Sequence, residues 1–251
     1  MASKDLDRRA EVREKPLQVL CHKRDALLDD VIRPMDCEEL KESGIEESGI
    51  YTVCPRGRTN EPLFPVYCDM EKDGGDWTVF ERRGDYGKPA NYFYKNWEDY
   101  RQGFGELNKE FWLGLDKIHS LTAQGNYMLR IKMVKFEESG DYYAVYSNFK
   151  VGSEDEDDKL MFDNFVEGNI GDSLSHFKNN RFSTYDNGFW KEICTRLKLG
   201  GYWFNRYLSC YNHRTPHGNN KSYKCAGGMI WFVNGNLIQV ESVEMKIRRM
   251  E

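Results

Sequence analysis

The sequence predicts a mixed α+β domain whose C-terminal third is rich in loops and cross-links. Two segments alternate apolar and polar residues with a period of two, 127–134 and 243–247, which is typical of half-buried strands. Segments with helical spacing precede them. The stretch Phe182–Trp231 combines three cysteines, two histidines and many aromatic residues with almost no periodicity. Such a long irregular segment is normally functional, disordered or cross-linked, and its aromatic content argues against disorder.

Length and charge restrict the class of protein. At 251 residues the chain is long enough to bury a sizeable core. Its 36 basic residues are outnumbered by 41 acidic ones, which argues against a nucleic-acid binder. The acids cluster most in Glu154–Asp158, where a solvated loop is favoured over a metal site. No apolar run approaches the roughly 20 residues of a membrane span.

Cysteine usage indicates an oxidising compartment. The seven cysteines stand at positions 21, 37, 54, 68, 194, 210 and 225. They form no CxxC pair and no zinc-finger spacing, so disulfides in an extracellular protein are favoured. An odd count leaves one thiol, either buried or bonded to another chain. The first 15 residues hold no hydrophobic leader, so we expect a secretion signal to lie outside this sequence. The alternative is a cytosolic protein with seven free thiols.

The N-terminal 35 residues precede the main domain. Residues 1–15 are charged and predicted to be mobile. Residues 16–35 are predicted to form a short coiled-coil-like helix, which ends at Pro34. Its apolar seam consists of Leu17, Leu20, Leu27 and Val31. Cys21 lies beside this seam and is a candidate for cross-linking two copies of the chain; the alternative is a helix that packs on its own domain.

Residues 36–122 are predicted to form a small disulfide-closed unit followed by a helical region. The unit contains a short helix, 37–43, and strands at 49–53, 66–70 and 77–83. Cys37 and Cys68 flank it and are plausible disulfide partners. Next comes a region with aromatic residues at helical spacing, predicted to belong to the core. These residues are Tyr94, Trp97, Phe104 and Phe111, followed by Leu115 and Ile118.

The second half of the chain supplies further strands of the predicted sheet. The segment 127–134 alternates strictly, and 142–151 is predicted to be its hairpin neighbour. At the C-terminus Val243, Met245 and Ile247 alternate with charged residues. A strand in this position is expected to complete a sheet begun earlier in the chain.

An ordered set of motifs runs from residue 36 to residue 249. The motifs are DCEEL, SGIYTV, VYCDM, GGDWTVFERR, NWEDYRQGFG, EFWLGLDKIHSLT, GDSLSHF, FSTYD, GGYWF, Cys210 and EMKIR. This succession resembles the fibrinogen-related domain, in its arthropod tachylectin-like branch, and places that domain at 36–251. The resemblance implies a fibrinogen C-terminal-like globular fold. It has a small N-terminal subdomain closed by Cys37 and Cys68, a central antiparallel sheet with helices, and a loop-rich C-terminal subdomain with a second disulfide, Cys194 to Cys210.

The resemblance also implies a calcium site in the C-terminal subdomain. Asp186 matches the family's calcium motif, but no second aspartate follows before Cys194. Calcium prefers six to eight oxygen ligands, several of them carboxylates. We therefore expect calcium binding to be weak or absent.

Beside that site the resemblance implies a pocket for acetyl groups on sugars or for peptide ends. The residues that match or rebuild it here are Ser209, Cys210, Tyr211, His213, Tyr223 and Ala226. The Ser209–Cys210 bond is the candidate for a cis peptide, which outside proline costs about 3 kcal/mol. Family tyrosines are replaced by Lys198, Cys225 and Ile238. The pocket is therefore expected to be modified.

Three further features lie outside the common pattern. Cys225 and Cys54 are both extra cysteines, and we predict that they pair, which leaves Cys21 as the odd thiol. Asn220 opens an Asn-Lys-Ser sequon, a candidate glycosylation site that would crowd the pocket, although such triplets are also common by chance. His213 and His217 have a metal-ligand spacing, but Pro216 between them disfavours the helix it requires.

The residues favour recognition over catalysis. The sequence has no GxSxG, P-loop or GxGxxG motif, and nothing singles out a glycosidase carboxylate pair. One hypothesis is a secreted, lectin-like recognition protein of innate immunity that binds N-acetylated sugars through a modified pocket. The alternative is a fibrinogen-like module with decayed sugar and calcium sites, used for protein–protein contact or oligomeric assembly. Either way we expect a homo-oligomer.

Overall fold

A computed structural model describes residues 34–55, 63–89, 91–135, 140–188, 200–204, 229–233 and 236–250. The predicted mobile segment 1–15 lies outside these residues. So does the predicted helix at 16–35, except for its last two positions, Pro34 and Met35, which are not helical.

The described chain is built mainly from strands. Its α-helices are α1 Cys37–Glu42, α2 Trp97–Gln102 and α3 Leu115–Ala123. Its strands are β1 Gly49–Val53, β2 Phe64–Asp69, β3 Trp77–Arg83, β4 Phe104–Gly105, β5 Phe111–Trp112, β6 Tyr127–Lys135, β7 Tyr142–Tyr146, β8 Lys150–Val151, β9 Leu160–Met161, β10 Phe165–Gly168, β11 Ile230–Val233 and β12 Asn236–Arg249. Among described residues, no helix is both long and apolar enough to cross a membrane.

The strand at the C-terminus is the centre of the main sheet. The strand order is β1-β2-β3-β12-β6-β7-β10, with antiparallel pairing between neighbours. β12 pairs with β3 on one side and with β6 on the other, and its first residues form a hairpin with β11. The sheet is therefore completed by the last strand of the chain, as the sequence predicts.

The period-two pattern is confirmed by burial. In β6 the side chains of Tyr127, Leu129, Ile131 and Met133 are buried, and their neighbours are only partly so. In β12 the apolar residues Val243, Met245 and Ile247 are buried in the same way. Lys246 departs from the pattern, since its side chain is fully buried beneath the N-terminal subdomain. Its Nζ lies 2.8 Å from Asp69 Oδ2 and 2.7 Å from Asp73 Oδ2.

The N-terminal unit is closed as predicted. A disulfide joins Cys37 at the start of α1 to Cys68 in β2, with their Cα atoms 5.5 Å apart. α1 begins where it does because the Asp36 carboxylate accepts a hydrogen bond from the Glu39 N–H. The same carboxylate accepts a 2.6 Å hydrogen bond from the Tyr127 hydroxyl, which ties the unit to the sheet.

The region 91–122 is only partly helical. Phe104 and Phe111 lie in the short paired strands β4 and β5, so the prediction of helical spacing across them is wrong. Gly103 and Gly105 explain the difference, because both have positive φ and a Cβ there would collide with backbone of β5 or the residues beside it. The core prediction is confirmed in part. Phe111 is almost fully buried, and Trp97 and Phe104 are partly buried against the core. Tyr94 is only half-buried and stacks on Tyr185, whereas Tyr100, which was not among the predicted rings, is fully buried.

The predicted hairpin partner of β6 is shorter than expected. Only Tyr142–Tyr146 pairs with β6. The chain then turns at Asn148, whose φ is 51°, and Lys150–Val151 pairs with β9 in a separate two-stranded sheet. This small sheet brings the acidic loop 154–158 next to α3, since β8 packs on that helix.

Candidate functional site

A cluster of buried rings forms the base of the C-terminal subdomain. We call it the aromatic frame; its members are Tyr100, Trp112, Phe182, Tyr202 and Trp203. The Phe182 ring meets that of Trp203 edge to face at 5.0 Å between centroids and that of Tyr100 at 5.2 Å. Backbone hydrogen bonds of 2.9 and 3.0 Å join Ser183 to Tyr202. The FST motif and the GGYWF motif are thus held side by side.

Gly201 shows why the frame needs a glycine. A Cβ at this position would lie 2.6 Å from Cε1 of Phe182 and 2.9 Å from Cδ2 of Tyr100. Both rings are packed on several sides and have no room to move. The backbone at Gly201 therefore passes directly over two aromatic rings.

Asp186, the predicted calcium ligand, connects two parts of the protein. Its Oδ1 accepts a 2.9 Å hydrogen bond from the N–H of Trp97 and a 2.7 Å hydrogen bond from the Thr184 hydroxyl. Trp97 is the first residue of α2, where backbone N–H groups have no partner within the helix. Asp186 therefore anchors the FST loop to the start of α2.

The described residues alone do not fit a calcium cage. Between Ser183 and Gly188 the only carboxylate is that of Asp186, and one of its oxygens already holds two protein donors. Among described residues, no group of three His, Cys, Asp or Glu side chains is arranged to hold a metal ion.

The predicted ligand-binding residues fall in a part of the chain that is not described. These are Ser209, Cys210, Tyr211, His213, Tyr223 and Ala226. The same holds for Cys21, Cys194, Cys225 and Asn220. Their roles remain predictions. Cys54 is described and is disulfide-bonded; since Cys37 and Cys68 bond to each other, its partner lies outside the described residues, and Cys225 remains the predicted one.

Both ends of the segment 205–228 are attached to buried structure. On one side Tyr202, Trp203 and Phe204 are buried in or beside the aromatic frame. On the other side Met229 and Trp231 are buried, and the Trp231 indole N–H donates a 3.2 Å hydrogen bond to the carbonyl of Gly171. The predicted binding residues are thus inserted between two firmly packed anchor points.

The acidic loop is solvated as predicted except at Asp158. Glu154–Glu156 forms an exposed 3-10 turn, with a capping box from Ser153 to Glu156. Asp157 and Asp158 then both adopt positive φ, 62° and 48°, a conformation that aspartate tolerates better than most residues. This reversal turns Asp158 inward, where only 3% of it is exposed. No local pattern distinguishes Asp158 from its solvated neighbours, so the sequence offers no signal for its burial.

Fold and aromatic frame together define a class of protein. A central antiparallel sheet, an N-terminal unit closed by one disulfide and a ring-lined C-terminal subdomain are the parts of a fibrinogen-like globe. The chain belongs to the family of the fibrinogen beta and gamma chains, C-terminal globular domain, which it matches over residues 33–250. The resemblance inferred from the motifs is confirmed.

Individual relatives come from invertebrates and vertebrates. Techylectin-5A of Tachypleus tridentatus is 39% identical over 222 residues, covering 87% of this chain and 75% of the relative. Human microfibril-associated glycoprotein 4 is 36% identical, with 86% of each chain covered.

Solved structures agree with the fold. The fibrinogen-like globe domain of human ANGPTL2 superposes with a TM-score of 0.74 at 33% identity, covering 86% of this chain and 99% of that one. A lamprey fibrin D-dimer complexed with the peptide Gly-His-Arg-Pro-amide has a TM-score of 0.71 at 25% identity, covering 94% and 80%.

Proposed function

We propose that this protein is a secreted, non-catalytic recognition protein that binds N-acetylated sugars through a modified pocket in residues 205–228. The observation that carries the proposal is that both ends of this segment are anchored by buried residues. The segment follows Phe204 and precedes Met229, and both of these residues are buried. A segment held at both ends has fewer conformations available, so less conformational entropy is lost when a ligand binds to it. A relative that is named as a lectin shares 39% of the aligned residues.

The residue types in the segment suit an acetamido group. An acetyl methyl is apolar and favours contact with aromatic faces, for which Tyr211 and Tyr223 are available. The acetyl carbonyl needs a donor, and we assign this role to the ring N–H of His213. Ala226 leaves room for the methyl. Cys225, where the family has a tyrosine, removes one aromatic wall, so weaker binding is expected than in an intact pocket.

Calcium is not required in this proposal. The carboxylate of Asp186 makes the link between the FST loop and α2 through protein donors, without a cation. Sugar binding is therefore expected to be insensitive to chelation.

The second candidate is a module for protein contact and oligomeric assembly. The peptide bound to the lamprey relative favours it, since that fold accepts a peptide end. In this candidate Cys21 cross-links two chains, and the segment 205–228 contacts protein.

A paired-ligand experiment separates the candidates. Binding of N-acetylglucosamine and of glucosamine, which lacks the acetyl group, is measured by calorimetry with calcium and with EDTA. We expect saturable binding of the acetylated sugar alone, unchanged by EDTA, and a loss of about tenfold in His213→Ala, as for one hydrogen bond in a pocket. Absence of detectable binding at millimolar N-acetylglucosamine would refute the lectin proposal. Non-reducing electrophoresis of Cys21→Ser tests the assembly candidate, which requires a covalent dimer that this variant lacks.

A further inference from the structure

A cavity lies among the described residues of two helices and the acidic loop. It has a volume of about 360 Å³ and lies between α2, α3 and the loop that follows β8. Every described residue that lines it has a polar or charged side chain. The charged or titratable residues that line it are Arg101, Asp116, His119, Glu154, Asp155 and Asp158. We call this space the acidic cavity.

Asp158 is the buried floor of this cavity. Its backbone is fixed, because its N–H donates to the Ser153 carbonyl at 2.9 Å and its own carbonyl accepts from the Trp203 indole at 2.7 Å. Its carboxylate has no hydrogen bond or ion pair with any described residue, although the residue is 97% buried. Its oxygens are not among the fully buried side-chain atoms that lack a partner, so they are open to the cavity. A largely desolvated carboxylate that makes no ion pair is a candidate functional group.

The described cations do not neutralise the cavity. Arg101 lies at its edge, with Nε 3.2 Å from Asp116 Oδ2 and 3.7 Å from Glu154 Oε2. The ring of His119 is held by a 2.8 Å hydrogen bond from Nδ1 to the carbonyl of Val151. Among the described lining residues, four carboxylates face one guanidinium, so the formal charge of these five groups is about −3 when all four carboxylates are ionised.

Size and donor arrangement indicate the kind of cation. Within the described residues no three side chains converge on one metal position. The cavity has room for an organic molecule, since ligand pockets begin at about 300 Å³. An ammonium group carries three donors that point in different directions, which suits carboxylates on separate segments better than a planar guanidinium does.

We infer that the acidic cavity binds the primary ammonium group of a small organic amine or of a lysine side chain. The ammonium group bonds to Asp158 and its neighbours, and the aliphatic part of the ligand leaves past Arg101 and Glu154, which are partly exposed. This site shares no residue with the predicted sugar pocket, so it does not depend on the function proposed above.

The ionisation of Asp158 makes the binding depend on pH. Burial, together with the negative charges of Asp116 and Glu154, raises the pKa of Asp158 to about 7, while Arg101 opposes the shift. A bound cation favours the ionised carboxylate. Ammonium binding therefore strengthens as pH rises through 7, and near that pH binding releases a fraction of a proton from Asp158.

Calorimetry with the full chain tests the inference. The probe is 1,5-diaminopentane, and 1,5-pentanediol is its uncharged control. We expect saturable binding of the diamine alone, tighter at pH 8 than at pH 6, and weakened about tenfold or more in Asp158→Asn, as for loss of one buried charge contact. Asparagine also tolerates the positive φ at this position.

Two further variants and a second ligand complete the design. Glu154→Gln, at the solvent-exposed mouth, is expected to weaken binding without affecting folding, so it serves if Asp158→Asn is unstable. Glu167→Gln removes an exposed carboxylate that does not line the cavity and should bind like the wild type. If lysine amide binds more tightly than the diamine, the site is assigned to a lysine side chain. Absence of saturable binding, or equal affinity of the wild type, Asp158→Asn and Glu154→Gln, overturns the inference.

Discussion

Replacing Lys246 by methionine is expected to destabilise the fold more than any surface lysine change. Methionine keeps the length and apolar stem of the side chain and removes the charge. The Nζ group lies 2.8 Å from Asp69 Oδ2, 2.7 Å from Asp73 Oδ2 and 3.8 Å from Glu244 Oε1. It also lies 5.4 Å from the ring centroid of Trp77. The substitution therefore leaves Asp69, which is almost fully buried, without its cation.

The expected loss is about 3–5 kcal/mol in the free energy of unfolding at pH 7, as for breaking a buried pair by removing one partner. This loss of unfolding free energy should become smaller at acid pH. Burial by itself would raise the pKa of Asp73, but the hydrogen bond and charge of Lys246 outweigh it and hold that pKa below its usual 3.8. Stability from a lowered pKa is complete above 3.8 and disappears as pH falls through the folded value.

Urea unfolding followed by tryptophan fluorescence, with disulfides intact, measures both effects. Lys132→Met is the matched control, because Lys132 pairs at 2.9 Å with Asp141, a side chain that is 71% exposed. Such a surface pair contributes about 1 kcal/mol or less. Equal losses in the two variants, or a loss in Lys246→Met that stays constant as pH falls from 7 to about 2, would show that the buried lysine does not hold the N-terminal unit on the sheet.

Three other outcomes follow from the same contacts. Replacing Cys37 and Cys68 by serine opens a loop with a separation of 31 residues and should cost about 3.7 kcal/mol from loop-closure entropy, measured as the shift in urea midpoint. Asp158→Asn should gain thermal stability relative to the wild type as pH rises from 5 to 8 without ligand, because a raised folded pKa near 7 makes ionisation unfavourable; a pH-independent difference contradicts this. Asp186→Ala should cost about 1 kcal/mol, as for loss of a helix cap, and equally with calcium or EDTA; a loss seen only with calcium assigns Asp186 to a cation.

Motifs and periodicity were sufficient for much of the fold. Strict alternation located β6 and the C-terminal half of β12, because the side-chain period of a strand is two and one face of each strand meets the core. The pairing of Cys37 with Cys68 and the fibrinogen family followed from the order of motifs.

The predicted secondary structure was wrong where a glycine conformation or a distant contact, and not the local spacing of apolar residues, determines the fold. Phe104 and Phe111 have helical spacing with their neighbours, yet they lie in strands because Gly103 and Gly105 take positive φ. The predicted hairpin 142–151 ends at Tyr146, since the turn at Asn148 directs the chain into a second sheet.

The candidate functional residues also differ in whether the sequence alone could identify them. The amino-acid order was enough to propose residues of the segment 205–228 for recognition, because aromatic rings, a histidine and cysteines are chemically specific wherever they lie. It was not enough for Lys246, which stands at a polar position of an alternating strand between Met245 and Ile247, or for Asp158, which ends a run of acidic residues. Their burial depends on partners far away in the chain, Asp69 for the lysine and the Trp203 indole for the backbone of Asp158. Burial is a property of long-range packing, and a local pattern of polar residues carries no record of it.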